Sequence, residues 1–141
     1  MTSLIAYRKF TDAVVTHTLR LPDGAGMAPA GQELATLPDG RTVVVLFDGY
    51  SLPTSQPEEI AASIEYLPVP LPDDLRDAIK VASPHVELIN SRVQAAISER
   101  YKVSDEIKLL RLAPSPETTT YNDYVEVCRA WGRAEKAKLG V

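Results

Sequence analysis

The chain has very few of the residues that carry metal-binding and nucleophilic chemistry. Its 141 residues include one cysteine, Cys128, and two histidines, His17 and His85. A single cysteine excludes an intramolecular disulfide and a zinc site of four cysteines, and it favours a reducing compartment. No two of these three residues have the spacing that brings side chains together on one helix or across one hairpin. We therefore predict no metal site, no cofactor and no catalytic residue.

The sequence also lacks a basic excess and long apolar segments. Its formal net charge is -4, and the excess falls in residues 1–70, which carry 4 basic and 8 acidic side chains, whereas residues 71–141 carry 11 of each. Nucleic-acid binding requires a surplus of lysine and arginine, so we expect no nucleic-acid partner. No run approaches the roughly 18 apolar residues of a spanning helix, and the first ten residues do not resemble a secretion signal. We expect no membrane association.

Acidic clusters and one glycine segment are the remaining candidates for enzyme chemistry. Each acidic cluster lies where a helix is predicted to begin, and the helix dipole accounts for its position. Gly24-Ala-Gly26 lacks the third glycine and the lysine of nucleotide-phosphate loops. We therefore predict that the protein is not an enzyme. The acidic clusters are Glu58-Glu59, Asp73-Asp74 with Asp77, and Asp105-Glu106.

The first half of the chain reads as strands separated by turns. Val14 to Leu21 is rich in β-branched residues and predicts a strand, and the small residues from Gly24 to Gln32 predict a loop. Residues 33–37 and 41–47 flank Asp39-Gly40, a dipeptide typical of tight hairpins. A third short strand is predicted over residues 50–53. Together these segments indicate a small antiparallel β meander.

The apolar run from Val43 to Phe47 implies a strand that is buried on both faces, and a small sheet cannot cover it alone. Residues 58–63 predict one helical turn. Pro68 and Pro70 force residues 64–71 to run extended, as a linker or an edge strand. We place a β-rich module at residues 1–67, a proline-rich joint at 68–72 and a helical module at 73–141.

The second half predicts a bundle of three to four helices, so the fold class is α+β. One helix begins at Pro72-Asp73 and ends at Ser83-Pro84, where the next begins and continues to about Tyr101. A third follows Ser104, and its leucines and Ile107 leave little polar surface, which predicts burial on several sides. The last begins near Ser115-Pro116 and ends before Gly140.

Aromatic and arginine side chains cluster on the last helix. Tyr121, Tyr124 and Trp131 lie near one face, with Arg129 and Arg133 beside them. Core packing of an amphipathic helix explains this pattern, and so does a protein interface, because Tyr, Trp and Arg often anchor such contacts. Both remain open. The candidate interface residues are Val43, Val45, Phe47, Tyr121, Tyr124, Arg129, Trp131 and Arg133.

The order of these segments resembles small tail-region proteins of tailed bacteriophages, namely tail fibre assembly proteins and tail-associated structural proteins. The resemblance covers roughly residues 37–139 and includes the Gln56-Pro-Glu-Glu-Ile60 segment. It is carried above all by the terminal helix, Tyr121-Asn-Asp-Tyr-Val-Glu-Val-Cys-Arg-Ala-Trp-Gly-Arg-Ala-Glu-Lys136.

The resemblance implies a virion structural protein of the tail or tail tip, assembled in the bacterial cytoplasm. Its partners would be other phage tail proteins, in a homo-oligomer or hetero-oligomer. One alternative is an assembly chaperone that is absent from the finished particle. Another is a host-directed regulator or inhibitor, which the acidic first half would suit.

Overall fold

The strand elements occupy the first half of the chain and the longer helices the second. The computed structural model describes residues 2–141. Its strands are β1 (Ser3–Tyr7), β2 (Phe10–Thr11), β3 (Thr16–His17), β4 (Gly31–Thr36), β5 (Thr42–Leu46) and β6 (Glu65–Tyr66). Its helices are α1 (Glu58–Ala61), α2 (Asp73–Ala82), α3 (Pro84–Arg100), α4 (Val103–Arg111) and α5 (Pro116–Lys138). The predicted α+β class, with an N-terminal antiparallel sheet and C-terminal helices, is confirmed.

The main sheet has four antiparallel strands in the order β4-β5-β1-β6. The hairpin between β4 and β5 turns at Asp39-Gly40, as predicted, and Gly40 has a φ of 91°, which a side chain would disfavour. The first strand, β1, pairs with β5 from Ser3 opposite Leu46 onwards. The short strand β6 forms the other edge, within the segment predicted as linker or edge strand.

Burial on both faces of β5 is confirmed, because all five of its residues are buried. Val43 and Val45 pack in a cluster with Leu34 and with Ile79 of α2. Val44 packs on the opposite face, in a cluster that includes Ile60 of α1. Burial of each such side chain contributes about 1.5–3 kcal/mol. The cover that this strand requires is therefore supplied by helices and connecting segments of the same chain.

Two predicted strands are largely irregular. Only Thr16–His17 of the Val14 to Leu21 segment is a strand, and it pairs with β2 in a separate two-stranded sheet. Further along, the backbone of Arg20 bonds to the side chain of Gln56 rather than to a strand. Residues 50–53 form no strand. The Tyr50 hydroxyl instead accepts a hydrogen bond from the Ala25 amide, in the loop predicted at 24–32.

The chain forms two compact units. One comprises the residues up to His85 together with Lys138–Val141, and the other comprises Val86–Ala137. Residues 68–72 mark the change from strands to helices, but α2 belongs with the sheet because Ile79 is fully buried in its core. The second unit, called the helical unit below, contains α4 and most of α3 and α5, with Ile97, Val125 and Cys128 at its core.

Candidate protein interface

The interface residues predicted on the sheet are not at the surface. Val43 and Val45 are 0% exposed, and Phe47 is partly buried against the same cluster. In addition, β5 lies between β4 and β1, so it presents no open edge. The prediction that these three residues offer apolar surface to a partner is therefore corrected, since the chain buries them in its own core.

The predicted residues of α5 divide between the interior and the surface. Tyr121 and Tyr124 are partly buried and act within the helical unit: the Tyr121 hydroxyl donates to Glu106 Oε1 at 3.0 Å, and the Tyr124 hydroxyl donates to the Ala96 carbonyl at 2.7 Å. Trp131 remains 42% exposed. The two predicted arginines, Arg129 and Arg133, are exposed, and Arg133 forms an ion pair with Glu126.

An aromatic cluster fixes the end of α3 against α5. The Tyr101 ring meets the Tyr121 ring edge-on, with centroids 4.9 Å apart, and lies 5.7 Å from the Tyr124 ring. Above Tyr124, the guanidinium carbon of Arg100 lies 4.6 Å from the ring centroid, within cation–π range. Partial burial raises the pKa of the Tyr121 phenol, and its hydrogen bond to Glu106 raises it further. Tyr121 and Tyr124 therefore pack within the helical unit, as the core-packing interpretation of this helix predicts.

Helix α4 has no buried residue, so the prediction that it is buried on several sides is wrong. It is attached to the helical unit along one side only. Glu106 accepts the Tyr121 hydrogen bond there, and the Leu109 carbonyl accepts one from the Thr118 hydroxyl at 3.0 Å. One attached side is enough to hold a helix of nine residues, and the other sides remain in contact with solvent.

Three apolar side chains form a stripe on the outward side of α4. Val103 is 68% exposed, Ile107 47% and Leu110 68%. Their spacing of four and three residues places them on one face of the helix, with Leu109 on another side and Glu106 at the edge between the two. We call these three residues the α4 stripe. The interface predictions missed them, although the spacing of 103, 107 and 110 was a readable signal.

A groove of about 510 Å³ runs along another side of α4 within the helical unit. Two basic and two acidic side chains border an apolar floor, so the groove has no single charge sign. Leu112, one of the lining residues, is 61% exposed. The groove is lined by Arg100, Tyr101, Asp105, Lys108, Leu109, Leu112, Glu117 and Thr120.

Each of the three chemically reactive residues lies in its own local environment. His17 Nε2 lies 3.0 Å from Asp12 Oδ2 on an exposed hairpin, His85 Nδ1 lies 3.2 Å from Gln32 Nε2, and Cys128 is buried in the helical core. No group of three metal-ligating side chains occurs among residues 2–141. Over the same described residues, no helix is both long and apolar enough to cross a membrane.

Comparison with known proteins found no relative. No protein-family model, curated protein or solved structure matches the chain.

Proposed function

We propose that the chain is a non-enzymatic structural protein that works through protein–protein contacts, as a component of a phage tail or tail tip. The observation that supports this proposal is the α4 stripe. A helix held by one side, with three large apolar side chains directed outward, is a surface that is stabilised when a partner covers it. Single exposed apolar residues are common, whereas a contiguous row on one helix is not.

A second exposed feature lies on α5. Val127 and Trp131 are one helical turn apart, and both are exposed. Tryptophan is enriched among the residues that dominate binding energy, and the exposed Arg129 and Arg133 are of a type that often accompanies it. The helical unit thus offers apolar surface on two helices, and we assign the contact surface to this unit rather than to the sheet.

The tail assignment rests on the resemblance of the module order and of the terminal helix to small tail-region proteins. The partners are then other tail proteins, and the location is the virion after assembly in the bacterial cytoplasm. Mass spectrometry of tailed particles purified from cells that encode the chain is the test. We expect the chain in intact particles at a fixed copy number. Its presence in lysate but not in particles would indicate an assembly chaperone and overturn the structural assignment.

A binding experiment tests the surface itself. Immobilised wild-type protein is expected to retain tail proteins from a lysate of assembling particles, and Ile107→Asp is expected to lose them. The matched control is Val81→Asp on α2, because Val81 is 90% exposed and belongs to the other compact unit. Equal retention by the two variants would contradict the assignment of the contact surface to the helical unit.

A further inference from the structure

The α4 stripe has the register of a two-stranded coiled coil. When Ile107 occupies position a of the heptad, Val103 and Leu110 occupy the flanking d positions. In parallel coiled coils, a β-branched residue at a with leucine at d favours two strands, and Ile107 and Leu110 follow this pattern, whereas Val103 at the other d position does not. We propose that α4 pairs in parallel with α4 of a second copy of this chain, an inference that rests on the protein–protein function proposed above and names one partner.

Charge complementarity selects the second copy as the occupant. In this register Glu106 lies at position g and Arg111 at position e, one on each flank of the stripe. In a parallel pair, a g residue meets the e residue of the other helix five positions further along the chain. Glu106 of each copy therefore meets Arg111 of the other, and two-fold symmetry forms the ion pair twice.

The two charged side chains are available for this contact. Glu106 accepts the Tyr121 hydroxyl through Oε1, which leaves Oε2 for a guanidinium. Arg111 is exposed and forms no ion pair within residues 2–141. An antiparallel pair would bring like flanks together and separate Glu106 from Arg111. Parallel pairing thus follows from the positions of the two charges.

The pairing is weak, because one heptad buries much less area than a standard stable interface. Self-association therefore depends on protein concentration, and other tail contacts would reinforce it by raising the local concentration. Sedimentation velocity over a roughly hundredfold range of concentration is the direct measurement. We expect a monomer–dimer equilibrium that shifts toward monomer at high salt, because salt screens the two ion pairs.

Charge-reversal variants distinguish this pairing from non-specific apolar self-association. Glu106→Arg and Arg111→Glu are each expected to raise the dimer dissociation constant roughly tenfold or more, because like charges then meet across the pair. The double reversal in one chain is expected to restore dimerisation. Tyr121→Phe controls for the hydrogen bond that Glu106→Arg removes, and circular dichroism checks that each variant is folded.

Several outcomes would overturn the inference. They are a wild-type chain that stays monomeric at every concentration, a dimer that Ile107→Asp leaves intact, or a double reversal that fails to restore association. A wild-type chain that stays monomeric but still binds tail proteins would reject the second copy as the partner and leave the proposed function standing. Absence from particles together with the charge-reversible dimer would reject the proposed function alone.

Discussion

The imidazole Nε2 of His17 lies 3.0 Å from the carboxylate Oδ2 of Asp12, which begins the turn of the β2–β3 hairpin. The other carboxylate oxygen of Asp12 accepts the amides of Val14 and Val15, at 2.9 and 2.8 Å. One side chain thus holds the whole turn. The two backbone hydrogen bonds are the main reason that the pKa of Asp12 falls to about 2, and His17 lowers it further.

The first prediction concerns the pH dependence of this turn. Because the folded-state pKa of Asp12 is depressed from 3.8 to about 2, its stabilising contribution is present above pH 3.8 and is lost as pH falls through about 2. NMR titration should give a carboxyl midpoint of about 2, with the amide shifts of Val14 and Val15 following it. His17→Gln should raise the midpoint but leave it below 3.8. A wild-type midpoint near 3.8 would show that the turn is not formed this way.

The second prediction concerns Gln56, whose side-chain amide forms hydrogen bonds with the backbone of Arg20 where a neighbouring strand would otherwise do so. Its Nε2 donates to the carbonyls of Arg20 and Pro53, at 2.8 and 3.2 Å, and its Oε1 accepts from the Arg20 amide at 2.9 Å. Gln56→Glu places a carboxylate against two carbonyl oxygens. We expect the free energy of unfolding at neutral pH to fall by about 1–3 kcal/mol, with partial recovery below about pH 4 when the acid can donate.

Urea denaturation at the two pH values measures this loss. The matched control is Gln94→Glu on α3, because Gln94 makes only a 3.4 Å contact with Ser98 on the exposed surface. That variant should change the free energy of unfolding by no more than about 0.5 kcal/mol. Similar losses in the two variants would mean that the Gln56 hydrogen bonds do not stabilise the fold.

Local signals in the sequence predicted the elements better than their arrangement. Asp39-Gly40 specified the hairpin, and Ser83-Pro84 marked the junction of α2 and α3, because turn and helix-end preferences act over a few residues. The position of β1 in the middle of the sheet depends on pairing with β5, about forty residues away. No local pattern encodes such a pairing, so this strand was not predicted.

The α4 stripe illustrates the same limit at the candidate site. Ile107, Leu109, Leu110 and Leu112 surround the helix with apolar side chains, so composition indicated burial without saying on which side. The side is selected by two tertiary hydrogen bonds, from Tyr121 to Glu106 and from Thr118 to the Leu109 carbonyl. The heptad spacing of the stripe can be read from the sequence, but these two contacts determine that its side chains are exposed.

The third prediction concerns the close approach of α3 and α5. Gly132 is buried within α5, and a Cβ at this position would lie 2.7 Å from Val93 Cγ2. Gly132→Ala should lower the free energy of unfolding by about 1–3 kcal/mol through overpacking. In a Val93→Ala background the clash is removed, and the same substitution should stabilise by up to about 1 kcal/mol through helix propensity. A double-mutant cycle measures this coupling, and equal effects in the two backgrounds would contradict the contact.

The last prediction concerns Thr118, which connects α5 to the end of α4. The Ser115 hydroxyl lies 2.8 Å from Thr118 Oγ1, whose own proton is donated to the Leu109 carbonyl. Thr118→Val keeps the shape but removes the hydroxyl, so the Leu109 carbonyl retains only the hydrogen bond from the Leu112 amide at 3.2 Å. We expect a loss of about 1 kcal/mol in the free energy of unfolding. Hydrogen exchange should accelerate in α4 more than in α3, because only α4 loses an attachment. Thr118→Ser retains the hydroxyl and should exchange like the wild type, whereas unchanged α4 protection in Thr118→Val would show that the attachment lies elsewhere.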